Sequence, residues 1–540
     1  MTRQAMGKML VGQILSNAAI RFPERRSFIC SSTGRKFTFA QTNQRCNRLA
    51  NGLTDIGLRK GDRVAFLSSN RAEMVEVYFA LAKNGMVGLP LNYRLAPLEM
   101  IELMRAVGAV ALIAERRFSD TLVPLLADLP QVAHCVSFGD GTTLGVDYEA
   151  LLARSSISEP KVDIKEDDPF YFNLTSGTTG LPKCYVINHY NCTATNSIFT
   201  SFDLTSRDVA MTVFPMFGRI GFGWTIISIQ LGLCNVLANF ESRTVLRLIE
   251  EQGVTVVNLV PTMAAMLLAC PSLATRRLNS LRALVFAGSS LPESIRVNVQ
   301  LKLCANVYEY YGMQETGALT LSTPEDRQRN PASAGRQVLF SELRIVDAQG
   351  CDLPSGQPGE IYGRSPNSVT AYYDSPAKTA ETFQGGWVHT GDIGYLDDEG
   401  YLFISGRLKE VIVTGGQNVH AAEIEDLILT FAGVADCAVI GLSDPLWGET
   451  VTAVVVPKDE PIDDEALIKF CHARLAGFKT PKTVLQQNDP LPRTPTGKVQ
   501  KFRLVERYST TVKTDLTLPV TGVPDSCDLQ GTRRIGAESL

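Results

Sequence analysis

The chain has 540 residues, 45% of them hydrophobic and 20% charged, more than one hydrophobic core can organise, so two or more domains are expected. With 52 basic against 56 acidic residues and a net charge of -4, it carries no basic footprint, which argues against a nucleic-acid partner and for a small substrate. The 12 cysteines show no CxxC pair and no His/Cys cluster, a pattern of reduced thiols in a cytoplasmic protein rather than of a disulfide framework or zinc site.

At the N-terminus, Arg3 and Lys8 precede an apolar stretch that is too short and lacks a cleavage pattern, so no secretory signal is read. Apolar strand runs then alternate with amphipathic helical runs, predicting parallel sheets covered by helices. Gly139, Gly141 and Gly145 follow a short apolar run as GxGxxxG, which reads better as a turn than as a dinucleotide fingerprint.

The strand Pro169 to Leu174 leads into Thr175-Ser176-Gly177-Thr178-Thr179-Gly180-Leu181-Pro182-Lys183, where glycines let the backbone approach an anion that hydroxyls and an ammonium neutralise. This is not a Walker A loop, because Leu181 and Pro182 separate Gly180 from Lys183.

Two long uncharged stretches, Ile220 to Phe240 and Val254 to Thr275, are broken by Gly221, Gly223, Gly232, Pro261 and Pro271; they read as buried α/β core rather than membrane spans. Within the second, a strand over Val254 to Val260 runs through Pro261 into a helix over Thr262 to Ala269. Leu281 to Ala287 is a further strand, and Ser290-Leu291-Pro292-Glu293 predicts a capping box with proline at the first helical position. After Asp347, closely spaced glycines and prolines mark a small β-rich subdomain.

Beyond Gly406 the pattern turns to compact α+β: a helix near Ala421 to Phe431, strands near Val434 to Ile440 and Val451 to Val456, and a helix near Asp464 to Leu475 stopped by Gly477. The expected fold class is α/β: a large N-terminal domain of doubly wound sheets with a small β-barrel-like subdomain (1–406), then a small α+β C-terminal domain (407–508), then a polar tail (509–540). The terminal Glu538-Ser539-Leu540 falls short of a peroxisomal address for want of a cation.

The loop at 175–183 resembles the phosphate-binding signature of the adenylate-forming superfamily, which includes acyl-CoA synthetases, peptide-synthetase adenylation domains and beetle luciferases. Further matches follow in the family's order between about Leu15 and Lys501. Gly288-Ser289-Ser290 is similar to the adenine-side loop, Tyr311-Gly312-Met313-Gln314-Glu315 to YGxTE, and Thr390-Gly391-Asp392 to TGD. Gly406-Arg407-Leu408-Lys409-Glu410 resembles the inter-domain hinge, with Gly415-Gly416 just after it. Pro492-Arg493-Thr494-Pro495-Thr496-Gly497-Lys498 resembles the C-terminal lysine motif.

The resemblance implies an ATP-dependent acid–thiol ligase of the acyl-CoA synthetase type, using ATP, Mg²⁺ and coenzyme A on a small carboxylic acid. In this reading Lys498 supplies positive charge at the α-phosphate, and two meeting anions need such charge more than they need an acid or base. Asp392 accepts the ribose hydroxyls and Arg407 reaches ribose or phosphate; Tyr311 stacks on adenine and Glu315 anchors Mg²⁺. Lys409 and Glu410 are the hinge of a mobile small domain, and Gly415 and Gly416 line a tunnel for the thiol.

Where many acyl-CoA synthetases carry Pro-Leu-Phe-His, this chain has Phe214, Met216, Phe217, Gly218 and Arg219. The acyl pocket is therefore expected to be reshaped at Gly218, with Arg219 a candidate for a second substrate carboxylate. Cys184 and Gln314 also depart from the family pattern; Cys184 has no histidine partner to make it a nucleophile, and His189 matches a family histidine that reads as a helix-start or core residue. A carrier-protein thiol as acceptor, a luciferase-type oxygenase, a noncatalytic acyl or nucleotide binder, a homodimeric assembly and the identity of the acid all stay open.

Overall fold

The structure is a computed structural model that describes residues 7–142, 144–174, 184–194, 198, 201–414, 417–444, 447–493 and 497–512. The expected phosphate loop 175–183, the two tunnel glycines at 415 and 416, and the tail from 513 lie outside the described residues.

Two twisted sheets dominate the large domain. In the nine-stranded sheet, Arg26–Cys30, Cys234–Leu237, Val209–Thr212, Val256–Leu259, Ala283–Phe286 and Val307–Met313 run parallel as successive neighbours. In the seven-stranded sheet, six parallel strands end on Val87–Pro90 and Pro169–Leu174, and Cys184–Asn188 closes the edge antiparallel. Val256–Leu259 and Ala283–Phe286 are buried at every position, as parallel strands covered on both faces require.

Side chains of both sheets meet in one core around the helices Ala72–Asn84 and Arg219–Leu231. The rings of Tyr78 and Phe222 stack there with centroids 3.6 Å apart, and the Tyr78 hydroxyl donates to the Met216 carbonyl at 2.8 Å. The stretch from Ile220 is thus a core helix followed by the strand Cys234–Leu237. Among the described residues no helix is long and apolar enough to cross a membrane.

The β-rich subdomain is a five-stranded antiparallel sheet of Glu342–Val346, Gly359–Arg364, Phe383–Gln384, Trp387–Leu396 and Leu402–Arg407. The small domain has a second five-stranded sheet, in which Val434–Asp444 pairs along its length with Gly448–Pro457. Helices Ala421–Ile428 and Asp464–His472 pack on one face of it and Lys501–Val512 on the other.

Several boundaries differ from expectation. The helices near 421 and 464 stop earlier, and the last helix passes the expected end at 508. The capping box at 290–293 does not form: Pro292 is the N-cap, without a side-chain cap bond, and the helix begins at Glu293. The amide of Leu291 instead donates to Oε1 of the buried Glu309 at 3.0 Å, and Glu309 is itself paired with Arg327. A tertiary carboxylate has replaced the local cap.

Candidate active site

The carboxyl ends of Pro169–Leu174 and Val307–Met313, one from each sheet, come together through Asn173 and Gln314, and open α/β sheets bind ligands in the cleft at such strand ends. Ala283–Phe286 leads into Gly288, whose φ of +89° favours glycine, and Ser289 and Ser290 beyond it are exposed. Val307–Met313 makes a tight hairpin with Gly317–Ser322. A Cβ on Gly312 would lie 1.9 Å from the Gly317 carbonyl oxygen, so only glycine permits the bend that carries Gln314 and Glu315.

Gln314 ties the two sheets together. Its Oε1 accepts from Asn173 Nδ2 at 3.1 Å and from the Tyr185 hydroxyl at 3.0 Å. Asn173 is the residue before the last of the strand that enters the expected phosphate loop. The departure from the family threonine therefore supplies an amide long enough to span the sheets.

Glu315 is buried, with its Oε1 accepting from the Tyr372 hydroxyl at 2.5 Å. Among the described residues no cluster of three or more His, Cys, Asp or Glu could hold a metal unaided. One buried carboxylate still fits Mg²⁺, a hard cation that completes its shell with nucleotide phosphates and water.

Asp392 is buried on the strand Trp387–Leu396. It accepts from the Tyr311 hydroxyl at 2.8 Å and pairs with Arg407 Nε at 3.1 Å. A carboxylate has further lone pairs to offer ribose hydroxyls. Tyr311 thus meets Asp392 and Arg407, which are cross-strand partners, from a segment remote in sequence.

Lys498 enters this cleft from the small domain. Its side chain is open to solvent, as a group that meets a ligand must be, while the surrounding protein desolvates its ammonium. This desolvation and the Arg407 charge lower its pKa, against the opposing pull of Asp392, Glu315 and Glu410. Gly497 has φ +89°, and a Cβ there would come 3.2 Å from Thr262 Oγ1 on the helix Pro261–Leu268. Gly497 is therefore seated against the large domain, where an added Cβ would crowd Thr262.

The segment expected to be the hinge lies between two anchors. Arg407 is tied to the large domain through Asp392, and Glu410 to the small domain through Lys501 at 3.1 Å. Lys501 also pairs with Glu425 at 2.8 Å; burial opposes its charge, but the two carboxylates outweigh burial and raise its pKa. Lys409 lies between these anchors, in the short turn Leu408–Glu410.

Phe214 is buried and Phe217, Gly218 and Arg219 are half-buried at the start of the helix Arg219–Leu231. Phe217 meets Tyr93 edge-on at 5.4 Å. Arg219 hydrogen-bonds the Gln314 carbonyl through Nη1 and the Asn367 carbonyl through Nη2. Its guanidinium clamps the turn that carries Glu315, a structural engagement in place of the expected second substrate carboxylate.

His189 is a fully buried helix-start residue stacked on Phe170, and its Nδ1 accepts from the Val11 amide at 3.3 Å. Burial pushes the Cys184 thiol up to about 12, which keeps it protonated and poorly nucleophilic. Tyr372, Asn173, Tyr185 and Thr262 escaped sequence reasoning. No motif spacing marks them, because each acts on the site through a partner distant in the chain.

Residues 15–373 match the family model described as AMP-binding enzyme, and residues 423–498 match the AMP-binding enzyme C-terminal domain. A long-chain-fatty-acid–CoA ligase, FadD13, of Mycobacterium tuberculosis is 33% identical, covering 93% of this chain and 99% of that protein. Indoleacetate–CoA ligase of Aromatoleum aromaticum is 35% identical, with 89% of this chain and 93% of that protein covered. The solved structure of anthranilate CoA ligase AuaEII with anthranoyl-AMP superposes with a TM-score of 0.86 at 26% identity, covering 96% of this chain and 100% of that one.

Proposed function

We propose a division of labour for this chain, which belongs to the AMP-binding enzyme family and is an ATP-dependent acyl-CoA ligase. In the first step a carboxylate oxygen of the acid attacks the α-phosphorus of ATP, the bond to the β-phosphate oxygen breaks, and pyrophosphate leaves with its electron pair. In the second, the thiol sulfur of coenzyme A attacks the acyl carbon, loses its proton, and expels AMP.

Lys498 neutralises charge as the two anions approach, with its ammonium acting where charge develops. Tyr311 and Asp392 hold adenine and ribose, with Gly288, Ser289 and Ser290 on the adenine side and Gly312 and Met313 in the hairpin. Arg407 reaches phosphate or ribose, and the loop from Thr175 to Lys183 cradles the phosphates. Glu315 would hold Mg²⁺, which supplies electrostatic stabilisation of the leaving pyrophosphate. Rotation about Lys409 would then withdraw Lys498 and bring Gly415 and Gly416 to the thiol. The observation that carries this assignment is the position of Lys498, a small-domain cation in the field of Asp392 and Glu315 of the large domain and of Arg407 at the junction.

The acid we propose is a monocarboxylic acid with an apolar body. Long-chain fatty acids and indoleacetate, the acids in the relatives' names, are of that class, and the apolar Phe214 and Phe217 beside an engaged Arg219 support it. A reducing, cytoplasmic setting is proposed as well, supported by the free thiols of all 11 described cysteines.

The test combines a carboxylate panel, scored by CoA-dependent AMP formation, with Lys498→Ala. The variant is expected to lose acid-dependent pyrophosphate exchange by about a hundredfold or more and to retain thioester formation from supplied acyl-adenylate. Retained exchange would remove Lys498 from the first step.

A further inference from the structure

The peptide between Gly497 and Lys498 has to hold one geometry where the two domains meet, and a glycine has no intrinsic reason to do so. Gly497 has φ +89°, a conformation a glycine leaves easily. What holds it is visible at the other end of the motif. Arg493 Nη1 donates to the Gly497 carbonyl at 2.6 Å, and Arg493 Nη2 pairs with Asp436 Oδ2, also at 2.6 Å. The backbone of Arg493 bridges that of Val499, and the Gln500 amide donates to the Pro492 carbonyl at 2.7 Å.

One guanidinium therefore closes the turn from within and fastens it to the strand Val434–Asp444, the long strand of the small-domain sheet. The strand register shifts between Val434 and Asp436, an irregularity of the kind that re-aims a side chain. The fork geometry matters: a single ammonium presents its donors from one point and cannot match two acceptors in this arrangement. The Gly497 carbonyl is one peptide from Lys498, so its orientation sets the direction in which the lysine leaves the backbone.

We propose that Arg493, anchored by Asp436, is a positioning residue for the acid-activation step, holding the Gly497–Lys498 peptide so that the ammonium reaches the α-phosphate. It touches no substrate. The proposal rests on the assignment of Lys498 to that step. It implies that loss of the brace lowers the rate of activation without weakening the binding of ATP or acid, since the Arg493 guanidinium is taken up by the Gly497 carbonyl and Asp436. It also implies that transfer to the thiol is spared, because Lys498 is withdrawn in that step.

The test measures acid-dependent pyrophosphate exchange, thioester formation from supplied acyl-adenylate, and thermal stability. The variants are Arg493→Gln, Arg493→Lys, Asp436→Asn and the double variant Arg493→Gln with Asp436→Asn, with Lys498→Ala as reference. Arg493→Gln is expected to lower the exchange kcat by about ten- to a hundredfold, the cost of a modest misplacement of a reacting group, with both KM values within about twofold. Arg493→Lys should recover part of the loss and Asp436→Asn should show a smaller one. The double variant should be no worse than Arg493→Gln, because the pair acts as a unit.

The proposal is overturned by wild-type exchange in Arg493→Gln or Asp436→Asn, by additive losses in the double variant, by a change confined to KM, or by an equal fall in the thioester half-reaction. If Arg493→Gln does not fold, the partly exposed Asp436→Asn alone decides the matter. Loss of exchange in Lys498→Ala with wild-type Arg493 variants sinks the brace only, whereas retained exchange in Lys498→Ala sinks the underlying assignment.

Discussion

The Tyr311 hydroxyl donates to Asp392 at 2.8 Å across 81 residues of sequence, joining the end of a core strand to the β-rich subdomain. The bond means that Tyr311 and Asp392, the residues proposed for adenine and ribose, are positioned as one unit. Tyr311→Phe keeps the ring and removes the donor. A net hydrogen bond of about 1 kcal/mol is lost, so the KM for ATP is expected to rise about fivefold with kcat within twofold, read from steady-state kinetics. An unchanged KM would mean that Asp392 holds its place without Tyr311.

In the proposed mechanism Lys498 must be protonated to act, and desolvation by the surrounding protein and the Arg407 charge lower its pKa. Exchange should therefore fall as pH rises through a value below the ordinary lysine value of 10.5. Arg407→Gln removes one of the lowering influences and should move this alkaline limb to higher pH, whatever it does to the maximal rate. A pH profile of pyrophosphate exchange for the two proteins checks the direction of the shift.

Arg219→Met removes the donors to the Gln314 and Asn367 carbonyls while keeping an unbranched apolar stem. Two part-buried carbonyls lose a charged partner, so a stability loss of about 2–4 kcal/mol is expected in denaturant melts. The ratio of monoacid to diacid turnover should stay the same. A shifted ratio would restore Arg219 to the substrate pocket.

His189 is buried neutral, its pKa lowered from 6.5 to about 4 chiefly by desolvation, against the pull of Asp168. The unfolded chain binds the proton first as pH falls, so the stabilisation is complete above about 6.5 and is lost progressively towards pH 4, by roughly 3 kcal/mol. His189→Gln retains an acceptor for the Val11 amide and removes the titration. Urea melts across this range should show a flatter acid limb in the variant than in the wild type.

Much of this was legible in residue types and spacing. The strand Pro169–Leu174 has the bounds expected of it, because an apolar run flanked by turn residues is a local signal. The helix expected over Thr262 to Ala269 runs from Pro261 to Leu268, one residue earlier at each end, and the motif order named Asp392, Arg407 and Lys498 as candidates for one site. The capping box at 290–293 failed for the opposite reason: the Leu291 amide prefers Glu309, a partner that no local pattern announces.

The amino-acid order thus settled which chemistries were available, since a carboxylate, a guanidinium and an ammonium carry their properties wherever they lie. Packing decided which of them meet. Glu315 finds Tyr372 across 57 residues and Arg219 finds Gln314 across 95; such pairings depend on how whole sheets and helices come together. Periodicity records only whether a residue faces inward, and so it is silent about the partner on the other side of the core.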